Sequence, residues 1–368
     1  MRHYLLMLRS SHAVAMVAMV AIAGCGGASE PVAVTEPPSR VSVVAAAVPE
    51  LVRVAEVDEP VDATSRPSDP AVYVVARMGQ VLRLVGDALD ERPVLDISEL
   101  TEGGGERGLL GLAFSPDGST AYLNYTDRAG DTIVASIGVD LSGTFDRASL
   151  RTLLTIDQPY RNHNGGDLVV EPSGTVLVAT GDGGSADDPL RVALDESSLL
   201  GKVLRLDPFT GEVVQLAKGL RNPWRIDLHD DRLWLADVGQ NRWEEVSVLN
   251  GVSTVTESVD FGWSAWEADE RFNEDQASSA HVPPVVAYRH GDDGCSISGG
   301  AVATTGALGG QYVFDDYCSG RIWSIAADDP SPAMVQRFAG VDAPVAVVRA
   351  HGDLYVLSLS GSVWRIIG

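Results

Sequence analysis

The chain has 368 residues, 45% of them hydrophobic, enough for one large core or two ordinary ones. Its formal net charge is −24, with a pI near 4.5. That excess of acid repels phosphate backbones and argues against nucleic acid as a partner.

From Tyr4 to Cys25 the sequence reads "YLLMLRSSHAVAMVAMVAIAGC", an apolar stretch from Ala13 to Ala23 that ends in small residues. That order reads as a bacterial export signal over residues 1–24. Its removal takes two arginines and no acid, so the remainder is more acidic still. "IAGC" resembles a lipoprotein signal-peptidase site, which implies a lipid on Cys25 and an exported, membrane-anchored protein facing the periplasm or the cell exterior. Plain secretion is the alternative. No other apolar run approaches the ~20 residues that span a bilayer, so membrane contact is expected only through that lipid anchor. Residues 25–50 are rich in Gly, Ala, Ser, Pro and Val without period or aromatics, and read as a tether. Residues 51–368 are left for the folded part.

A hairpin pattern then recurs. "VYVVARMGQVLRL" (72–84) is an apolar run, a break with Gly, and an alternating run. The same unit returns at 121–139, 176–207, 233–249, 312–325 and 354–366, with β-branched and aromatic residues at period two. A further strand and turn often precedes it, as in "GLAFSPDGSTAYLNY" (111–125) and "GDLVVEPSGTVLVAT" (166–180). Pro, Asp and Gly supply the turn geometry. Six such units, roughly forty to eighty residues each, predict an all-β chain: a six-bladed β-propeller with antiparallel blades of four strands. A β-sandwich with fortuitous repeats is the alternative.

In a propeller, loops at one end of the axis share a pocket. Four segments depart from the repeat: "TEGGGERGLLGLAF" (101–114), "QPYRNHNGGDL" (158–168), "TGDGGSADDP" (180–189) and "GLRNPWRIDL…ADVGQNRWEE" (219–245). All but the acidic third hold Arg, Asn, His, Gln or Glu beside Gly, where a plain solvated loop needs only small polar residues. His163, in "NHNGG", reads either as a base aimed into a pocket or as a turn residue bonded to backbone. The cysteines are Cys25, Cys295 and Cys318. With Cys25 lipidated in an oxidising compartment, Cys295 and Cys318 are expected to pair; two buried free thiols are the alternative.

Residues 101–325 resemble the glucose/sorbosone dehydrogenase family, six-bladed propellers that use pyrroloquinoline quinone (PQQ) and Ca2+. The resemblance rests on "GERGLLGLAF", "NHNGGDLVV", "ATGDGG", "LGKVLRLD", "GLRNPWR", "DVGQNRWEE", "FGWSAWE" and "GDDGCSISGG…YCSGRIW", in the family's order. The paired cysteines and "GLRNPWR" look like the branch that includes Hedgehog-interacting-protein-like domains.

The resemblance implies His163 as the general base, a task a neutral imidazole suits. It implies Arg221 and Asn222 at the quinone, through a guanidinium on a carboxylate and an amide beside the reactive carbonyl. Glu106 and Asn162 fall at sugar-contacting positions. The Gly239 and Gln240 carbonyls are expected on a catalytic calcium, and Glu244 and Glu245 at a structural one; Asp182, Asp187 and Asp188 read either as a further oxygen cluster or as a solvated acidic loop. "FGWSAWEADERFNEDQ" (261–276) supplies Trp263, Trp266 and Phe272 either to stack on a sugar or to fill a blade edge.

Two departures stand out. The chain has two lysines, Lys202 and Lys218, and neither falls where the family places one on the quinone. The last blade's first strand, "VDAPVAVVRA", holds Arg349 where relatives carry an arginine pair. The leading expectation is an exported quinoprotein oxidising an aldose or oligosaccharide at the anomeric carbon to a lactone and passing electrons to an external acceptor. The second is a calcium-containing propeller without quinone that binds a glycan or protein. The third, a calcium-dependent lactone hydrolase, lacks the acid–Asn–Asp constellation it needs.

Overall fold

A computed structural model describes residues 48–278 and 280–368. The expected export signal, most of the tether and Cys25 lie outside the described residues. Secondary structure is almost entirely β, with two short 3-10 turns, and it folds as the six-bladed propeller expected from the repeats.

Each hairpin seen in the sequence becomes the second and third strands of a blade. Val72–Ala76 pairs with Gln80–Val85, Thr120–Thr126 with Thr132–Val139, and Val176–Thr180 with Lys202–Leu206. Arg232–Asp237 pairs with Trp243–Asn250, Gln311–Asp316 with Arg321–Ala326, and Asp353–Ser358 with Ser362–Ile367. An inner strand precedes each: Pro60–Ser65, Leu109–Phe114, Leu168–Val170, Pro223–His229, Ile297–Val302 and Pro344–Ala350. Alternation weakens in the second strands because both faces pack on neighbouring blades; Val72–Ala76 and Val176–Thr180 are buried throughout. Trp234 of the fourth blade stacks on Tyr312 of the fifth, ring centroids 4.4 Å apart.

The ring closes through both ends of the described chain. Glu50–Glu56 pairs antiparallel with Ser362–Ile367 as the outer strand of the sixth blade. Blade-to-blade contact on the axis is made by aspartates. Asp62 of the first inner strand accepts from the Leu112 N–H of the second at 2.9 Å. Asp167, just before the third inner strand, accepts from Ile226 N–H at 2.7 Å, and Asp227 of the fourth accepts from Val302 N–H of the fifth at 2.9 Å. Each link satisfies a buried backbone N–H of the next blade, which would cost ~1–3 kcal/mol if left unpaired, so these links do more than fill space.

The fourth blade carries an insertion, residues 251–285, between its third strand and its outer strand Val286–Arg289. It adds a parallel strand, Val259–Asp260, to the edge of the third blade and a small hairpin, Trp266–Glu267 with Glu270–Arg271.

Candidate functional site

The loops between blades, and the turns between second and third strands, gather at one end of the axis. A cavity of about 660 Å³ opens there, lined by Glu106, His163, Arg221, Asn222, Gly239 and Gln240 among others. Residues from three inter-blade loops and one hairpin turn, singled out separately in the sequence, thus meet in one place. A second cavity of about 870 Å³ lies at the opposite end, between turns such as Pro116, Pro172 and Asp230. It holds none of those residues, so chemistry rather than size selects the first.

His163 is nearly fully buried and adopts a left-handed backbone, φ 56°. Its loop is pressed against the next hairpin: a Cβ on Gly181 would stand 2.0 Å from the His163 carbonyl oxygen, so glycine is required there. Nδ1 lies 2.7 Å from Asp182 Oδ1. Asp182 already accepts from two unambiguous donors, Trp263 Nε1 at 2.8 Å and Gly184 N–H at 3.0 Å. It therefore acts as the acceptor, the proton sits on His163 Nδ1, and the lone pair is left on Nε2. Nε2 has no partner among the described residues.

Glu106 ties the base to the neighbouring loop. Its Oε2 accepts from the His163 N–H at 2.7 Å and from Asn222 Nδ2 at 2.9 Å. Asn222 Oδ1 accepts from Gly165 N–H at 3.1 Å, so its amide orientation is fixed at both ends. Asp237 holds the base of this loop, accepting from Arg221 N–H at 3.0 Å and Asn222 N–H at 2.6 Å. Burial pushes the Asp237 carboxyl up to about 6 despite those bonds. The Arg221 guanidinium donates to the Val238 carbonyl at 2.7 Å and to Gln240 Oε1 at 3.1 Å, and lies over Trp263, 5.7 Å from the ring centroid.

The turn at Gly239–Gln240 is built for close approach. A Cβ on Gly239 would stand 1.5 Å from the Trp243 carbonyl oxygen. Glu267 Oε1 collects four successive amides, Gln240 to Trp243, at 2.9, 2.9, 3.0 and 3.3 Å. Neither the Gly239 nor the Gln240 carbonyl accepts a hydrogen bond from the described residues. Two free carbonyl oxygens beside a group of poorly compensated carboxylates fit a hard cation. Glu245 is pushed well above its ordinary value by burial and by Asp237, Glu267 and Glu244, and Glu267 Oε2 is buried without a partner. Among the described residues, no three acidic, His or Cys side chains converge as a ready-made metal cage.

Several of the expected site residues carry hydrogen-bond partners of their own. Asp182, expected among calcium ligands, has both oxygens committed to His163, Trp263 and Gly184. Glu244 is likewise spent: Oε1 meets His290 Nε2 at 2.5 Å, and Oε2 accepts from Ile297 N–H at 2.8 Å and Gly239 N–H at 3.3 Å. Asp188 caps Val192 N–H at 2.9 Å and binds Ser264. Asn162 turns away from the cavity, its Oδ1 accepting from Ser185 N–H at 3.1 Å. The aromatic segment does not wall the cavity. Trp263 is buried behind Asp182 and packs on Phe272, while Trp266 stacks on His281.

Cys295 and Cys318 form the disulfide expected from the cysteine count, and Cys295 lines the cavity. Arg77, with Glu59, and His290 also line it, and the sequence reading missed all three. Arg77 follows directly on a buried strand and His290 on an outer one, so nothing local marks them. Lys202 and Lys218 stay away: Lys202 Nζ donates to the Val192, Ala193 and Leu200 carbonyls, and Lys218 pairs with Glu196. The residues present fit a quinone carboxylate at Arg221, with fewer cationic contacts than the resemblance would supply.

Residues 57–309 match the family model described as Glucose / Sorbosone dehydrogenase. The HIPL1 protein of Arabidopsis thaliana is 26% identical over 223 residues, 48% of this chain and 31% of that protein. The Hedgehog-interacting protein of Mus musculus is 30% identical over 155 residues, 37% of this chain and 22% of that protein. This chain therefore matches less than a third of the length of either relative. Among solved structures, the PQQ-bound aldose sugar dehydrogenase of Streptomyces coelicolor superposes with a TM-score of 0.69 at 20% identity, covering 87% of this chain and 98% of that one. At that identity the likeness speaks for the fold.

Proposed function

The chain belongs to the glucose/sorbosone dehydrogenase family, and from that premise we propose that it is a calcium- and PQQ-dependent dehydrogenase oxidising an aldose at its anomeric carbon to a lactone. The observation that carries the proposal is the His163–Asp182 pair, which leaves an unpartnered imidazole nitrogen in a cavity shared with Arg221 and Asn222.

His163 Nε2 takes the proton from the anomeric hydroxyl. Asp182 holds the tautomer that makes this possible and stabilises the imidazolium that results. Glu106 holds the His163 N–H and Asn222 the Gly165 N–H of the same loop, and Glu106 Oε1 is left to accept from sugar hydroxyls. Arg221 and Asn222 would hold the quinone, and the Gly239 and Gln240 carbonyls would hold calcium. Quinone, when bound there, would supply the two-electron acceptor for the hydride of the anomeric carbon. We further propose export through the segment before Cys25, with a lipid on that cysteine as anchor.

The second reading is a propeller that binds a glycan or protein without turnover. The cations around the cavity favour it, because Arg77 and His290 are already paired with Glu59 and Glu244. The deciding assay adds calcium and PQQ and follows aldose-dependent dye reduction, with His163→Ala alongside. Quinone-dependent turnover that collapses in the variant supports the dehydrogenase. Absence of turnover, with no quinone retained after desalting, supports the binding propeller.

A further inference from the structure

We infer that the cavity selects aldoses carrying a protonated amino group close to the reacting carbon, with Glu106 as the specificity-determining residue; the inference rests on the sugar-oxidising reading above. Arg77 is matched by Glu59, at 2.5 and 3.2 Å. His290 is matched by Glu244 at 2.5 Å. Arg221 is engaged by the Val238 carbonyl and Gln240 Oε1, with Asp237 behind its backbone.

Among the carboxylates of the cavity wall, Glu106 is the exception: Glu59 faces Arg77, whereas Glu106 faces no cation, and Arg221, whose own partners are neutral, is left for the quinone carboxylate. Both of its donors, the His163 N–H and the Asn222 amide, are neutral and share Oε2. Oε1 accepts no hydrogen bond from the described residues, and no described cation stands within ion-pair distance. The residue is part-exposed at the cavity wall. A carboxylate presented to a ligand without a protein counterion favours a cation and repels a carboxylate or phosphate. The chain's net charge of −24 adds to the same field. Because Glu106 is bonded to the backbone of the proposed base, the cation it meets sits near the reacting carbon. A 2-amino-2-deoxy-aldose has that arrangement; a neutral aldose gives only hydroxyl contacts, and a uronic acid brings a second negative charge.

The test is calorimetric titration of the full protein, loaded with calcium and reduced PQQ so that Arg221 and the metal are occupied and no turnover occurs, using glucosamine, glucose and glucuronate at pH 6, for wild type and Glu106→Gln. The expected result is glucosamine binding tighter than glucose by about tenfold, the scale of one charge-assisted hydrogen bond, with glucuronate weakest. Glu106→Gln brings the three together, and raising salt erodes the glucosamine preference while leaving glucose unchanged. Thermal midpoints of the two proteins show that the variant folds. Equal affinities in wild type, a preference that survives Glu106→Gln, or no saccharide binding at all overturns the inference. Quinone-dependent dye reduction is run in parallel. Glucose turnover without amino-sugar preference overturns the role of Glu106 and leaves the oxidation reading standing. Amine-selective binding without turnover does the reverse.

Discussion

Asp182 Oδ1 lies 2.7 Å from His163 Nδ1, although the two residues sit on different segments of the chain, one in an inter-blade loop and one in a hairpin turn. The contact assigns each nitrogen of the ring a task. His163→Ala is expected to lower kcat by about 10²- to 10⁴-fold, the range for loss of a general base. Asp182→Asn keeps the shape, but its amide can present a donor where the ring also donates, so the tautomer is lost. A drop in kcat of similar order, with little change in thermal midpoint, is the outcome to look for. Wild-type kcat in Asp182→Asn would remove the orienting role.

Calcium is expected to raise the thermal midpoint in a concentration-dependent manner, since a ligand that binds only the folded state stabilises it by mass action. Chelation reverses the effect. Gln240→Ala should retain the calcium response, because the carbonyl rather than the side chain is the donor, while Arg221 loses its partner at 3.1 Å. A midpoint indifferent to both calcium and chelator would count against any calcium site in the fold.

Asp315 gives a prediction about pH. It is fully buried, Oδ2 has no partner among the described residues, and burial together with Asp316 pushes its carboxyl up from 3.8 to about 8. The folded state therefore binds this proton more tightly than the unfolded chain. Its stabilising contribution is complete below the ordinary carboxyl value and is lost as pH rises through about 8. Asp315→Asn cannot ionise. Urea midpoints from about pH 5 to about pH 9 should fall less in the variant than in wild type. Parallel slopes would show that Asp315 does not carry this dependence.

Cys295 and Cys318 are separated by 23 positions in sequence. A cross-link over such a loop contributes ~3 kcal/mol by the chain-entropy account. The double variant Cys295→Ser, Cys318→Ser is expected to lose about that much in chemical denaturation. It should also weaken ligand binding, because Cys295 and Ser296 form part of the cavity wall. Unchanged binding would mean that Asp316, which accepts from both of their N–H groups at 3.0 and 2.9 Å, holds the wall alone.

The fold was legible because its unit is local. Each "apolar run, Gly turn, alternating run" is a hairpin whose strands lie next to each other in sequence, so period and turn chemistry suffice. Three of the four departures from that period, those holding Glu106, His163, and Arg221 with Gly239, do meet at one cavity, while the acidic segment 180–189 does not line it. The partners of the other candidate residues needed tertiary information. Asp182 reads like any acid in a loop, yet its partners are His163, 19 positions before it, and Trp263, 81 positions after it. Trp263 and Trp266 read equally as sugar-stacking rings or as blade-edge core, and only packing decides that one supports a carboxylate and the other meets His281. Arg77 and His290 arrive from different blades, and their meeting at one cavity has no signature in any single hairpin.

Ring closure also sets how the molecule bears load. Glu50 faces Ile367 and Glu56 faces Ser362, so both ends of the described chain leave the sixth blade at the same end of an antiparallel pair. Tension applied across those ends falls on one rung at a time, starting at Glu50–Ile367, instead of being shared along the seam. A barrier that every rung defends together against heat is thus defended singly against a pull. Force spectroscopy between residues 50 and 367 should record a low rupture force, with the other blades yielding only after the seam has unzipped.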